Sequence, residues 1–220
     1  MSCSEFEVDS ETGALSPDGG RQIKLGAIPL RLFATPDGRF LIVPEEKTGI
    51  HTPPEYRYDA QGKLSPVPGT GKEIPDSGNF WVYQLKSGGS IVPVDASPFH
   101  AEHLPFSITL SPNGRFIYAG YKIYGVSRGE GVDVYSVNPQ SGGLRLVPDA
   151  VPISQGGTEN PQTIVFGQSQ HRAYGDTRNA QVIAYDADPE TGCLRLRART
   201  FLWPHARWVL SVPEHAAPTQ

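Results

Sequence analysis

Short apolar runs punctuated by glycine and proline recur along the whole chain, a pattern of many turns rather than of long helices. Two signatures repeat. The first is an aromatic-led strand, a turn and a closing Leu or Ile. It starts at Phe6, Tyr135 and Tyr185, turns at Gly13, Gly142 and Gly192 and closes at Leu15, Leu144 and Leu194, with a shortened copy from Tyr83 through Gly88 to Ile91. The second is a proline three residues before an apolar position: Pro29 before Leu32, Pro105 before Ile108 and Pro161 before Ile164. Seven residues after the first two prolines comes a hairpin, P-D-G-R from Pro36 and P-N-G-R from Pro112, and each leads into a further apolar strand. Glycine tolerates the positive φ of such turns, and the Asp or Asn side chain caps the loop. In the third copy the hairpin has degenerated to Gln168-Ser-Gln-His-Arg172 between surviving strands.

Spacing turns these signatures into an architecture. Tyr83 to Tyr135 is 52 residues, Tyr135 to Tyr185 is 50 and Pro105 to Pro161 is 56, each near the roughly 40 to 50 residues of a propeller blade. Within a unit the order is strand, hairpin, strand, loop, aromatic strand, turn and fourth strand, which predicts an all-β protein of four-stranded antiparallel blades. Pro29 to Pro105 is 76 residues, so the first unit carries an insertion over 46–78, expected as an elaborated loop. The expected units are a partial blade over 1–24, complete blades over 25–98, 99–152 and 153–199, and a partial blade over 200–213. Together they form one repeat domain, 1–213, followed by a tail, 214–220. A seven-bladed ring needs about 350 residues, so the 220 present predict an incomplete propeller. A piece of a longer protein, a four-bladed ring closed by joining the two partial ends, and two arcs completing each other as a dimer are the alternatives, with association into a homo-oligomer as the physical remedy for bare blade faces.

The formal charge of −4 and the scattered basic residues argue against a nucleic-acid partner. No apolar run is long enough to span a bilayer, and the first 16 residues lack the pattern of a secretory signal, so the expected setting is cytoplasmic. Cys3 and Cys193 read as reduced thiols. His100, Glu102 and His103 match no metal-ligand spacing, so neither a metal nor another cofactor is expected. The segment Gly129-Glu130-Gly131 lacks the strand-to-helix context of a phosphate cradle, and no G-x-S-x-G nucleophile is present. Trp81, Trp203 and Trp208 are expected to pack between blades.

The S-P-N-G-R-F-I-Y of 111 to 118, the T-P-D-G-R-F of 35 to 40 and the aromatic strand with its T-G-x-L turn resemble the lactonase-type seven-bladed propellers. That family includes 6-phosphogluconolactonases and carboxymuconate-lactonising enzymes. The resemblance covers most of the chain outside the insertion and the last fifteen or so residues, and it implies hydrolysis of a small acidic or phosphorylated carbohydrate lactone. A non-catalytic ligand-binding or interaction scaffold is the alternative, and a lactone-forming cycloisomerase a further one. It also implies a Glu and two Arg near a His at the channel. Glu46, ten residues after Pro36, matches the Glu of the family pattern, whereas Leu30 stands at its Arg position with Arg31 adjacent. Lys122 stands where the next blade of the family carries an Arg, and Arg178 occupies the same offset one blade later. The family's Pro-His-Pro-His stretch has no counterpart here. Lactone opening needs an activated water and a group that holds charge on the carbonyl oxygen. This assigns Glu46 as base and Lys122 and Arg178 as anion anchors, with Arg31, His51, His103 and Arg128 as candidate substrate-binding residues.

Overall fold

The computed structural model describes residues 2–24, 31–47, 50–52, 56–58, 64–67, 72–74, 77–87, 90–123, 129–152, 160–177 and 179–201. Every regular element among them is a strand. The chain opens with a hairpin of β1 (Ser2–Val8) and β2 (Leu15–Lys24). Sheet I then begins with β3 (Phe33–Ala34) and β4 (Phe40–Lys47). An excursion follows, in which β5 (Ile50–Thr52) pairs with β8 (Lys72–Ile74), and β6 (Tyr56–Tyr58) with β7 (Leu64–Pro66). The expected loop insertion thus carries two small nested ribbons.

Sheet I resumes with β9 (Ser77–Leu85), whose far edge is shared by β10 (Ile91–Pro93) and β11 (Phe99–Ala101). Between those two, the Val82 amide donates to Ser97 Oγ and the Val94 amide to the Val82 carbonyl, keeping the edge bonded where the strand breaks. Sheet II is β12 (Pro105–Leu110), β13 (Phe116–Ile123), β14 (Gly129–Val137) and β15 (Leu144–Val147). Sheet III is β16 (Pro161–Phe166), β17 (Arg172–Thr177), β18 (Gln181–Ala187) and β19 (Leu194–Phe201). Both run in sequence order with antiparallel neighbours, the four-stranded unit that the repeat predicts.

The repeated residues form these turns for definite reasons. In the hairpins, Thr35 Oγ1 and Ser111 Oγ donate to Asp37 Oδ1 and Asn113 Oδ1 at 2.6 and 2.7 Å and accept from the Phe40 and Phe116 amides. In the closing turns, Asp9, Asn138 and Asp188 each accept from the amides two and three residues on. Gly13, Gly142 and Gly192 then supply the φ of +70 to +76° that brings the chain back.

Two cores lie between the sheets. Phe40, Ile42, Phe80 and Val82 of sheet I meet Ile108, Ile117, Ala119, Tyr135 and Val137 of sheet II. On the other face of sheet II, Phe116, Tyr118, Val132 and Val134 meet Ile164, Phe166, Ala173, Ile183 and Tyr185 of sheet III. Rows from both faces of sheet II are therefore buried, as a stacked blade requires. Ile117 and Ile183 are fully buried, a burial that contributes about 2 kcal/mol for each. Trp81 stacks on Tyr83, on the face of sheet I that carries Val43 and points away from sheet II, while Trp203 and Trp208 lie outside the described residues.

Candidate functional site

Each sheet has two ends. At the hairpin end lie Pro112 to Arg115 and Asn138 to Gly143, with their counterparts Gln168 to His171 and Asp188 to Cys193. At the crossover end lie Pro105, Tyr121 to Ile123, Gly129 to Gly131, Pro161 and Thr177. The backbones of Glu46 and Lys122 both fall at the crossover end, at equivalent register in neighbouring sheets. Glu46 is opposite Gly78 in the β4–β9 pair, and Lys122 is opposite Glu130 in the β13–β14 pair. A methyl group added at Gly78 would come within 2.4 Å of Pro105 Cδ, so this end of sheet I abuts the first residue of β12. The backbone of His51 pairs with Glu73 in the excursion. The side chains of Glu46, Lys122 and His51 lie outside the described residues, as do Arg128 and Arg178 altogether, and Arg31 is exposed just ahead of β3.

His103 is fully described, and it stands two residues before Pro105 in the segment that crosses from sheet I to sheet II. Its Nδ1 is 2.9 Å from Asp133 Oδ2, and its ring stacks on Tyr121 with centroids 3.9 Å apart and planes 17° apart. The hydrogen bond to Asp133 raises the imidazole pKa, burial opposes the rise, and the charges of Asp133 and Glu102 add to it. Burial raises the Tyr121 phenol, with the Asp133 charge adding to it. One residue before His103, the Glu102 amide donates to Tyr135 Oη at 2.8 Å, tying the crossover to β14 a second time.

On the other face of sheet II, Glu130 is 4 % exposed and its Oε2 accepts from Gln162 Nε2 at 2.6 Å. The Glu130 carbonyl accepts from Asn160 Nδ2, and Ser107 Oγ donates to the Gln162 carbonyl. Thr163 donates to Asp176 within sheet III. Among the described residues, the crossover end thus places a carboxylate or imidazole at both junctions of sheet II, and the hairpin end does not bury one. Asp133, Tyr121 and Glu130 are not signalled by any motif. The trace in the sequence is Asp133, a charged residue on the same alternate row as the apolar Tyr135 and Val137, which points inward. Among the described residues, no three His, Cys, Asp or Glu side chains gather as a metal site, and no helix is long and apolar enough to cross a membrane.

The chain is similar in structure to a functionally unknown protein from Desulfotomaculum acetoxidans (16% identity, 88% of this chain and 61% of that one, TM-score 0.44). It is likewise similar to a putative 6-phosphogluconolactonase from Bacteroides fragilis (17% identity, 89% and 63%, TM-score 0.41). A third similar structure is a periplasmic gluconolactonase from Pseudomonas aeruginosa (18% identity, 93% and 65%, TM-score 0.44). The chain spans less than two thirds of the length of each of these three. No curated protein matches it. The family model described as "Lactonase, 7-bladed beta-propeller" matches residues 77–211, more than half of the sequence, and covers sheets II and III whole. The chain belongs to the seven-bladed β-propeller lactonase family.

Proposed function

We propose that this lactonase-family propeller hydrolyses the ring ester of a small acidic or phosphorylated sugar lactone at its crossover end. The observation that carries this reading is the register of Glu46 and Lys122, which recur at the same step of neighbouring sheets, at the end where the sheet junctions hold His103, Asp133 and Glu130. In this reading Glu46 accepts a proton from water as its oxygen bonds to the carbonyl carbon. Lys122 and Arg178 hold the substrate's anionic group and the charge that develops on the carbonyl oxygen. Arg31, His51 and Arg128 are proposed to contact the rest of the sugar.

A second reading is a non-catalytic scaffold, favoured by the way Glu130 is already satisfied by Gln162 in a closed junction. Hydrolysis of glucono-δ-lactone and its 6-phosphate, measured for the wild type and for Glu46→Gln, separates the two. The expected result is measurable turnover with a loss of at least about a hundredfold in the variant. No turnover by the wild type would leave the scaffold.

A further inference from the structure

We infer that His103 is a proton-transfer residue of the lactone reaction, giving its Nε2 proton to the departing ring oxygen, and that Asp133 positions it. The inference rests on the hydrolytic reading above and adds the acid to its base.

Three observations carry it. Asp133 engages only Nδ1, which leaves Nε2 without a hydrogen-bond partner among the described residues, and the side chain keeps 31% of its surface exposed. A histidine that served only to tie the crossover down would be expected to use both nitrogens or to be shut in. Second, the Tyr121 ring under the imidazole and the carboxylate behind it fix one orientation, the arrangement by which a carboxylate fixes the tautomer and plane of a catalytic imidazole. Third, Pro105, two residues on, is the point where the Gly78–Glu46 end of sheet I abuts sheet II, so His103 and the proposed base belong to the same junction.

The titratable groups around the imidazole are Asp133 of β14, Tyr121 of β13 and Glu102 of its own segment, with the Glu46 end of β4 facing from sheet I. With Asp133 and Glu102 beside it, the ring stays protonated to higher pH than an ordinary histidine, as an acid working near neutrality needs. In the step itself a water oxygen bonds to the carbonyl carbon and Glu46 takes one water proton. The ring C–O bond then breaks with its electron pair on the ring oxygen, and that oxygen takes the Nε2 proton. The products are the open hydroxy acid, a protonated Glu46 that returns its proton to solvent, and a neutral imidazole that is reprotonated from solvent.

The test compares wild type, His103→Gln and Asp133→Asn on glucono-δ-lactone, whose alcohol must leave protonated, and on dihydrocoumarin, whose phenolate leaves unaided. His103→Gln should slow the sugar lactone about a hundredfold and the aryl lactone less than about tenfold. Wild-type kcat should fall as pH rises through the His103 pKa, and Asp133→Asn should move that limb to lower pH. Equal losses on both substrates, no loss on either, or an unmoved limb would overturn the assignment of His103 while leaving hydrolysis standing. No turnover by the wild type would overturn the hydrolytic reading itself, and this inference with it. Circular dichroism and the thermal midpoint of each variant identify any loss that comes from unfolding.

Discussion

The two junctions of sheet II are built from the same repeat and close differently. Where sheet II meets sheet III, Asn113 Nδ2 donates to the Pro189 carbonyl, Arg115 pairs with Glu190 at 2.6 Å and Tyr118 Oη donates to the Gly192 carbonyl. The corresponding space, lined by Asn113, Tyr118, Phe166 and Pro189, has no room for a water molecule. Where sheet I meets sheet II, the counterparts are Asp37, Arg39 and Ile42 against Pro139, Gln140 and Gly142. There a cleft of about 300 Å³ remains, lined by Pro36, Asp37, Phe40, Asn113, Arg115 and Pro139. All three polar links have lost a partner at this junction: Asp37 stands for Asn113, Gln140 for Glu190 and Ile42 for Tyr118. Asp37 is a carboxylate with its pKa held down to about 2, chiefly by the Thr35 hydroxyl and then by Arg39, so it cannot donate to a carbonyl across the junction. Arg39, which has Gln140 at the turn position that corresponds to the Glu190 partner of Arg115, pairs within its own hairpin with Asp37 at 2.7 Å. Apolar stacking alone brings two blades together, and the polar interlock decides whether the rim shuts.

The most damaging way to break the tighter junction is Gly120→Ala, because the added methyl would lie 1.9 Å from the Gln162 carbonyl oxygen, a backbone atom that cannot step aside. A loss of about 3 kcal/mol in chemical denaturation is expected. Tyr118→Phe, which removes a buried donor from the Gly192 carbonyl, should cost about 1 to 2 kcal/mol. The comparison is sharpened in the other direction by Asp37→Asn, which gives the looser junction the donor it lacks. A gain of about 0.5 kcal/mol is expected in chemical denaturation. The smallest effect concerns the crossover. The His103 pKa is raised by folding, so its pairing with Asp133 stabilises fully below the ordinary histidine value and the contribution fades as pH climbs through the folded-state value. Thermal midpoints of wild type and His103→Gln should therefore differ most in mild acid and converge in alkali.

Sheet II and sheet III could be read from the sequence because their signals are local. A Ser or Thr two residues before Asp or Asn-Gly, and Asp or Asn four residues before a glycine, dictate turns through contacts within a few residues. The buried rows follow by alternation. The pairing of β5 with β8 and of β6 with β7 was not legible, since those strands are three residues long and too short to show a period. The candidate site was legible only where it hangs on a turn. Counting ten residues from Pro36 or Pro112 locates Glu46 and Lys122 at one register, whereas the His103–Asp133 contact joins residues 30 apart in sequence, and no spacing rule links a crossover loop to the third strand of a sheet.

The closing turn of each sheet does more than finish its own strands. Gly192 lies directly beneath the Phe116 ring, and Gly142 beneath Phe40, so an aromatic side chain of one repeat finds its cover only when the following repeat has been made. For Tyr118 and Gly192 that partner lies 74 residues downstream, which at about 5–20 residues per second is a wait of roughly 4 to 15 seconds during synthesis. Through that interval the ribosome-bound chain displays an uncovered aromatic face, and each newly completed repeat inherits the same exposure from the one before it.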